Sequence, residues 1–275
     1  MKKEKSVLII GGDKRQRKLK KYLSDDGYTV THIEKEEECL PSLFKENKII
    51  FLPIPVSKDR VYIYSDNKEL KLRVTDVTEQ IDNTSVVFGG NFDASVKKYF
   101  EEEAIEYHDC LKSELLELQN GYLTSQGALR LLLENTEELL TSKNVLITGF
   151  GKIGMPLAAL LDKIGMNVSV GARNELQLKN AVMAGYTPVE LKSLSTLSKY
   201  NFIFNTVPCR IFEESLLETA DKKAVYFELA SSPFGADKES LLKYNISYVD
   251  GSSLPGKSLS DSSAELLKEY MEKFL

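Results

Sequence analysis

Histidine is rare, cysteine is scattered and no long apolar run occurs in this sequence of 275 residues. The three cysteines, Cys39, Cys110 and Cys209, form no C-x-x-C pair, and only His32 and His108 could join them as nitrogen ligands. Neither a zinc site nor a disulfide framework is indicated, so no metal is expected. A membrane span needs about 20 consecutive apolar residues, and nothing here approaches that. The basic start, MKKEKSVLIIGGD, has an apolar run of four residues that ends in glycines, too short for a signal-peptide core. A cytoplasmic, reducing compartment is the expectation. Basic residues number 36 and acidic ones 41, a net charge of −5, so no global attraction to nucleic acid or to an anionic membrane is expected. What is present, 42% apolar and 28% charged residues, is ordinary for a soluble chain, and the length normally makes two domains.

The most informative stretch is Asn144 to Gly154, NVLITGFGKIG. Val145, Leu146 and Ile147 read as a buried strand, and Gly149, Gly151 and Gly154 have the G-x-G-x-x-G spacing of a dinucleotide-binding turn. The chemistry needs each position. The first glycine permits a tight turn, the second lets bare backbone approach a pyrophosphate, and the third lets the following helix pack on its strand. N–H groups at the start of that helix then face the anion, and Lys152 and Ile153 join the expected cofactor contacts. The surroundings fit: Ile153, Leu157, Leu160, Leu161 and Ile164 recur at helical spacing, Gly165 stops the helix, and Asn167 to Val170 supply a second strand.

The end of that second strand selects the nucleotide. An NAD site usually carries an acid there to bind the ribose hydroxyls. This chain has Gly171-Ala172-Arg173-Asn174. A guanidinium suits a ribose 2′-phosphate, so NADP is the expected cofactor. Glu175, the nearest acid, keeps NAD as the alternative, with Arg173 then a solvated residue after a strand.

Along the chain, a first unit alternates strand and helix. Strand 7–10 leads through Gly11-Gly12-Asp13-Lys14-Arg15-Gln16 to a helix, with Asp13 as N-cap. Further strands are expected at 28–33, 49–52, 86–88 and 105–107, with helices near 39–46 and 94–103. Segments 61–64 and 70–74 read as an inserted hairpin. From 113 to 140 the chain is mostly helical, broken near Gln119-Asn120-Gly121-Tyr122, with Thr124 or Ser125 capping a second segment. A second unit then places strands near Val145, Val168, Thr187, Phe202, Val225 and Ile246. The expected fold is α/β: two Rossmann-like, doubly wound parallel-sheet domains, residues 1–123 and 124–275, with a cleft between them. The last helix, 263–274, is amphipathic and has a face that could pack back on the first unit.

Ligands of such sheets bind beyond the carboxyl ends of the strands. On the nucleotide side these ends supply residues 149–154, Arg173, Asn174, the turn Asn205-Thr206-Val207-Pro208, and Ser231; the 206–208 turn otherwise reads as a helix cap. On the other side they supply Arg15, Ser57 and the segment holding Thr124, Ser125 and Gln126. Arg15, at a helix start, suits a carboxylate, so an anionic substrate is expected there. Lys257 is a second candidate cation. No catalytic acid or base stands out, since His108 after a strand needs no special explanation and His32 even less. A nicotinamide enzyme can work mainly by positioning donor and acceptor.

Taken together, these motifs resemble the dipicolinate synthase A-subunit family across nearly the whole chain. The likeness rests on G-G-D-x-R-Q at residues 11–16, Pro55-Val56-Ser57, the set Asn120, Thr124 and Gly127, residues 149–154, Gly171-Ala172-Arg173, Asn205-Thr206-Val207-Pro208, and Leu229-Ala230-Ser231 with Pro233. The resemblance implies an NADP-dependent oxidoreductase subunit. It would form pyridine-2,6-dicarboxylate from a dihydrodipicolinate-type precursor, with the flavoprotein-like dipicolinate synthase B-subunit as partner, in the mother cell of a sporulating bacterium. A homo-oligomer is left open. Three departures stand out. The family's Asn-x-x-Pro-Thr-x-Glu-Gly becomes Asn120 to Gly127 with Leu123 for proline and Gln126 for glutamate. Its Pro-Lys-Thr-Ala-Gly becomes Ser260-Asp261-Ser262-Ser263-Ala264, and Ser232-Pro233-Phe234-Gly235 replaces a basic residue followed by Pro-Gly-Gly. Gln126 is therefore expected to orient a substrate by hydrogen bonding rather than act as a base. Two other functions stay open: an NADP oxidoreductase acting on another amino or imino acid, and a nonenzymatic NADPH sensor.

Overall fold

The apolar run Val7 to Ile10 is wholly buried, as a strand covered on both faces must be, and it forms an inner strand of the first sheet. A computed structural model describes residues 5–275, which divide into two units: the chain up to Gln119 together with 259–275, and 120–258. The first unit contains β1 (Ser6–Ile10), α1 (Lys14–Asp25), β2 (Thr29–Ile33), α2 (Pro41–Glu46), β3 (Ile49–Phe51), α3 (Val74–Thr78), β4 (Val86–Gly89), α4 (Ala94–Glu102) and β5 (Glu106–Asp109). Its five strands are all parallel in the order β2-β1-β3-β4-β5. Segments 61–64 and 70–74 meet through one isolated antiparallel bridge, Tyr62 to Arg73, instead of a full hairpin. Part of their bonding goes elsewhere: the Tyr64 carbonyl accepts from the Gly12 N–H, and the Tyr64 N–H donates to Val56.

Helix α5 (Glu114–Glu134) is continuous, where a break near residues 119–122 was expected. Gly121 does not interrupt it because the glycine is needed for packing: a Cβ there would overlap the Lys152 carbonyl. Thr124 and Ser125 accordingly cap nothing. Their hydroxyls donate back to the Asn120 and Tyr122 carbonyls at 2.7 Å, within the helix.

The second unit follows with β6 (Asn144–Thr148), α6 (Gly154–Lys163), β7 (Asn167–Ala172), α7 (Glu175–Met183), β8 (Thr187–Glu190), β9 (Phe202–Asn205), α8 (Glu214–Leu217), β10 (Val225–Glu228), α9 (Lys238–Lys243), β11 (Ser247–Asp250) and α10 (Leu254–Ser258). Six parallel strands run in the order β11-β10-β9-β6-β7-β8. Both faces are covered. Val145 and Ile147 join Phe204 and Phe227 on one side, while Leu146 joins Ile203 and Tyr226 on the other, the period-two split of a central strand.

The last helix, α11 (Ser260–Glu272), lies against α1. Ala264, Leu267 and Met271 share a core with Leu19 and Leu23, and Asp261 bonds Lys18 at 2.9 Å and the Tyr22 hydroxyl at 2.8 Å. Lys268 pairs with Asp26. This helix thus belongs to the first unit, whereas the expected boundaries of 1–123 and 124–275 closed the second domain with it.

Candidate functional site

In the second unit the strand order reverses between β9 and β7 around β6, and the crevice at such a reversal is where open α/β sheets bind ligands. The loops that leave β6 and β9 form its walls. After β6 the chain turns at Gly149, whose φ of +88° lies in the left-handed region that glycine enters without strain. Gly154 is buried directly above, where a Cβ would overlap the Gly149 carbonyl. Gly151 has open space around it. No side chain caps the start of α6: its Met155 N–H turns back to the Gly151 carbonyl at 3.0 Å, Pro156 has no N–H, and no side chain accepts from the Gly154 N–H.

These loops enclose a cavity of about 420 Å³. Of the residues expected at the cofactor, Gly149, Gly151, Lys152, Ile153, Arg173, Asn174, Thr206, Val207 and Pro208 line it. Gly154 does not, because its place is the close packing of turn on helix. Ser231 also lies outside: it follows β10, one strand beyond the strands that frame the cavity. Phe150, Ala172, Gln177 and Leu191 complete the lining without having been foreseen. Gln177 sits one helical turn beyond Arg173 and Asn174, so helical spacing could have found it. Leu191 has no local signal, since it arrives from the far end of β8.

Arg173 is exposed at the end of β7, and no carboxylate among the described residues pairs with it. Glu175 is engaged on α7 itself, 2.8 Å from Lys179, and does not line the cavity. Asn174 caps α7 by accepting from the Leu176 N–H.

The 206–208 turn is tied to the strand ends by a buried polar network. The Asn205 amide oxygen accepts from the Thr148 hydroxyl at 2.6 Å and the Val207 N–H at 3.2 Å. Its amide nitrogen donates to the Val207 carbonyl and, at 2.7 Å, to Glu228. Glu228 is fully buried and also accepts from the Tyr226 hydroxyl and the Ala230 and Gly235 N–H groups. Burial pushes its carboxyl above the usual range; the four donors oppose that without cancelling it.

The residues expected at a substrate lie in both units: Arg15 and Ser57 in the first, Thr124, Ser125 and Gln126 in the second. The Arg15 guanidinium grips Asp13 at 2.8 and 2.9 Å and donates to the Ile54 carbonyl at 2.6 Å. Burial alone would raise the Asp13 carboxyl, but the bonds and charge of Arg15 hold it below the usual range. Ser57 donates to Asp59 and lines a separate cavity of about 240 Å³ with Arg60, Asn91 and Asp93, which Arg15 does not reach. Lys257 is held by Asp250 and Ser252 at 3.1 and 3.2 Å. His108 is a packed residue, between Phe88 and Phe274 and 3.0 Å from Glu106. His32 bonds the Gly11 carbonyl, and burial lowers its pKa. Cys110 is buried, its thiol pushed up to about 12, so it is unreactive. No group of side chains suited to a metal occurs among the described residues, and no described helix is long and apolar enough to cross a membrane.

Comparison with known proteins agrees with this architecture. Residues 6–111 match the model of the N-terminal domain of the dipicolinate synthase A-subunit. The chain is 23% identical over 286 aligned positions to the dipicolinate synthase A-subunit of Bacillus subtilis (strain 168), covering 98% of this chain and 95% of that protein. The solved structure of the dipicolinate synthase A-subunit from Bacillus halodurans superposes with a TM-score of 0.83 at 22% identity, covering 100% of this chain and 98% of the other. A transhydrogenase from Sinorhizobium meliloti shares the fold more distantly, with a TM-score of 0.63, 12% identity and coverage of 98% and 92%. The match at residues 6–111 and the likeness along the remainder show that this chain resembles the dipicolinate synthase A-subunit through both of its units.

Proposed function

We propose that this chain is the NADP-dependent oxidoreductase subunit of a two-subunit enzyme that forms dipicolinate from a dihydrodipicolinate-type precursor. The observation that carries the proposal is the uncapped start of α6, opening with Gly151 onto a cavity that also holds Arg173, which pairs with no carboxylate among the described residues. An anion fits at a glycine turn leading into a helix that no side chain caps, and a second anion fits beside a guanidinium that no described carboxylate pairs with. NADP carries both a pyrophosphate and a ribose 2′-phosphate. The engagement of Glu175 by Lys179 further favours NADP over NAD.

Residues 149–153 would hold the pyrophosphate through backbone N–H groups, and Arg173, Asn174 and Gln177 the phosphorylated ribose, with Leu191 as an apolar wall. Thr206, Val207 and Pro208 line the side left for the nicotinamide half. When bound, NADP would take the hydride released as a dihydropyridine ring becomes aromatic, with the accompanying ring proton passing to solvent. The cavity lining contains no histidine, cysteine or carboxylate, so this unit contributes orientation and electrostatics. Arg15, Ser57, Thr124, Ser125 and Gln126 remain the proposed substrate contacts. Of these, Gln126 alone has a side chain that bonds no other described residue.

The test combines the purified chain, a flavoprotein-like second subunit, NADP and freshly prepared hydroxytetrahydrodipicolinate, and follows NADPH and dipicolinate together. Both should appear in equal amounts, and only with both subunits present. NADPH binding without any turnover, with or without the partner, would instead make the chain a sensor. Turnover of another amino or imino acid by the chain alone would move it to a different oxidoreductase.

A further inference from the structure

Glu228 is a carboxylate with no exposure, no cationic partner among the described residues, and no place in the cavity lining. Its four partners are all donors: the Asn205 amide and the Ala230 N–H on one oxygen, the Tyr226 hydroxyl and the Gly235 N–H on the other. An acceptor with two oxygens is what this arrangement demands. The consequence falls on Asn205. Because Glu228 accepts only, the Asn205 amide must point its nitrogen toward it, and its oxygen then faces the Thr148 hydroxyl and the Val207 N–H. The same nitrogen also reaches the Val207 carbonyl at 3.0 Å. Both polar backbone groups of Val207 are thereby clamped, and Val207 lines the cavity. Gly235 closes the network from behind, since a Cβ there would press on the Asn205 amide and the Tyr226 hydroxyl.

We infer that Glu228 and Asn205 form a buried positioning pair that fixes the 206–208 turn and so shapes the nicotinamide half of the dinucleotide cavity. The inference rests on the dinucleotide reading above. It assigns work to two residues that need not touch the ligand. The Arg173 end of the cavity lies across β6 and β7 from this network, so a change in the pair should be felt by one half of a dinucleotide and not by the other.

The variant Asn205→Asp tests this with almost no change of shape. It keeps the acceptors for Thr148 and Val207 but places an oxygen against Glu228 and against the Val207 carbonyl. NADPH should bind at least about tenfold more weakly, the effect of one or two buried polar groups left without partners. Adenosine 2′,5′-bisphosphate, which occupies only the Arg173 end, should bind as it does to the parent protein. Adding Glu228→Gln to that variant supplies an amide that can donate to the introduced carboxylate. Part of the NADPH affinity should then return, which two independent structural defects would not produce. Thr148→Val removes only the hydroxyl on the Asn205 oxygen; it serves if Asn205→Asp does not fold, and should weaken NADPH selectively and less. Equal loss of both ligands in folded variants, or no loss of either, would overturn the pairing. Failure of the parent protein to bind either ligand would remove the dinucleotide reading itself, and the pair with it.

Discussion

Both units begin with a parallel strand, a glycine turn and a helix, yet in one the turn is filled from within and in the other it stands open. After β1, Asp13 caps α1 and takes the Arg15 N–H, while the Gln16 side chain bonds the Asp13 N–H in a full capping box. The Gly12 N–H is spent on Tyr64, and Gln16 packs so close to Gly12 that a Cβ would overlap it. An internal carboxylate occupies the place where a helix start attracts an anion, and Arg15 neutralises it. After β6 there is no capping side chain, no residue over Gly151, and a cavity instead. Similar strand–turn–helix starts therefore diverge through one residue type: an acid at the helix start supplies the charge from inside, and its absence leaves room for a phosphate.

The largest effect should come from Gly154→Ala, since the added methyl overlaps the Gly149 carbonyl and the turn must open. We expect dinucleotide binding to vanish and stability to fall by about 2 kcal/mol, read by calorimetry and urea unfolding. Gly151→Ala sharpens the contrast. Its methyl meets nothing in the protein, so the melting temperature should stay put while NADPH binding drops by more than about tenfold, because the methyl stands where the pyrophosphate must approach. If binding survives, the open turn is not the phosphate site. Arg173→Ala should weaken NADP by about tenfold and leave NAD unchanged, measured by titration calorimetry with both. An equal change in the two affinities would show that no 2′-phosphate sits there.

The smallest effect concerns the closed turn. Asp13→Asn keeps a capping side chain but removes the charge that Arg15 grips, and should cost about 1 to 2 kcal/mol near neutral pH without altering dinucleotide binding. Its pH dependence has a definite sign. The folded-state pKa of Asp13 lies below the usual carboxylate value, so the advantage of the parent protein is fully present above the unfolded-state pKa and is lost as pH falls through the folded one. Urea unfolding of both proteins over the acid range should show the two stabilities converging downward in pH.

Much of this architecture was legible because backbone sterics and burial leave marks on residue type. Gly149 and Gly154 announce a turn that only small residues allow, Gly151 an open approach to it, and the apolar runs at Val145, Phe202 and Val225 announce strands covered on both sides. Glycine misled in α5. Asn120 and Gly121 are poor helix formers, but the helix passes so near Lys152 that no side chain fits, and packing outweighs propensity. Side-chain partners were equally hidden at Arg15, whose cation is taken by Asp13 two residues away, and at Asp261, which replaces an expected lysine and bonds Lys18 and Tyr22. Glu228 carried no sequence signal: an acid ending an apolar strand reads as a surface residue until its four donors are seen in place.

Because α11 completes the core that begins with Leu19 and Leu23, the first unit is assembled from segments separated by the whole of the second. On the ribosome, the earlier half of the polypeptide emerges with one side of α1 still uncovered and must wait for α11 to be made. Maturation of the second sheet can therefore precede that of the first, reversing the order in which they are translated.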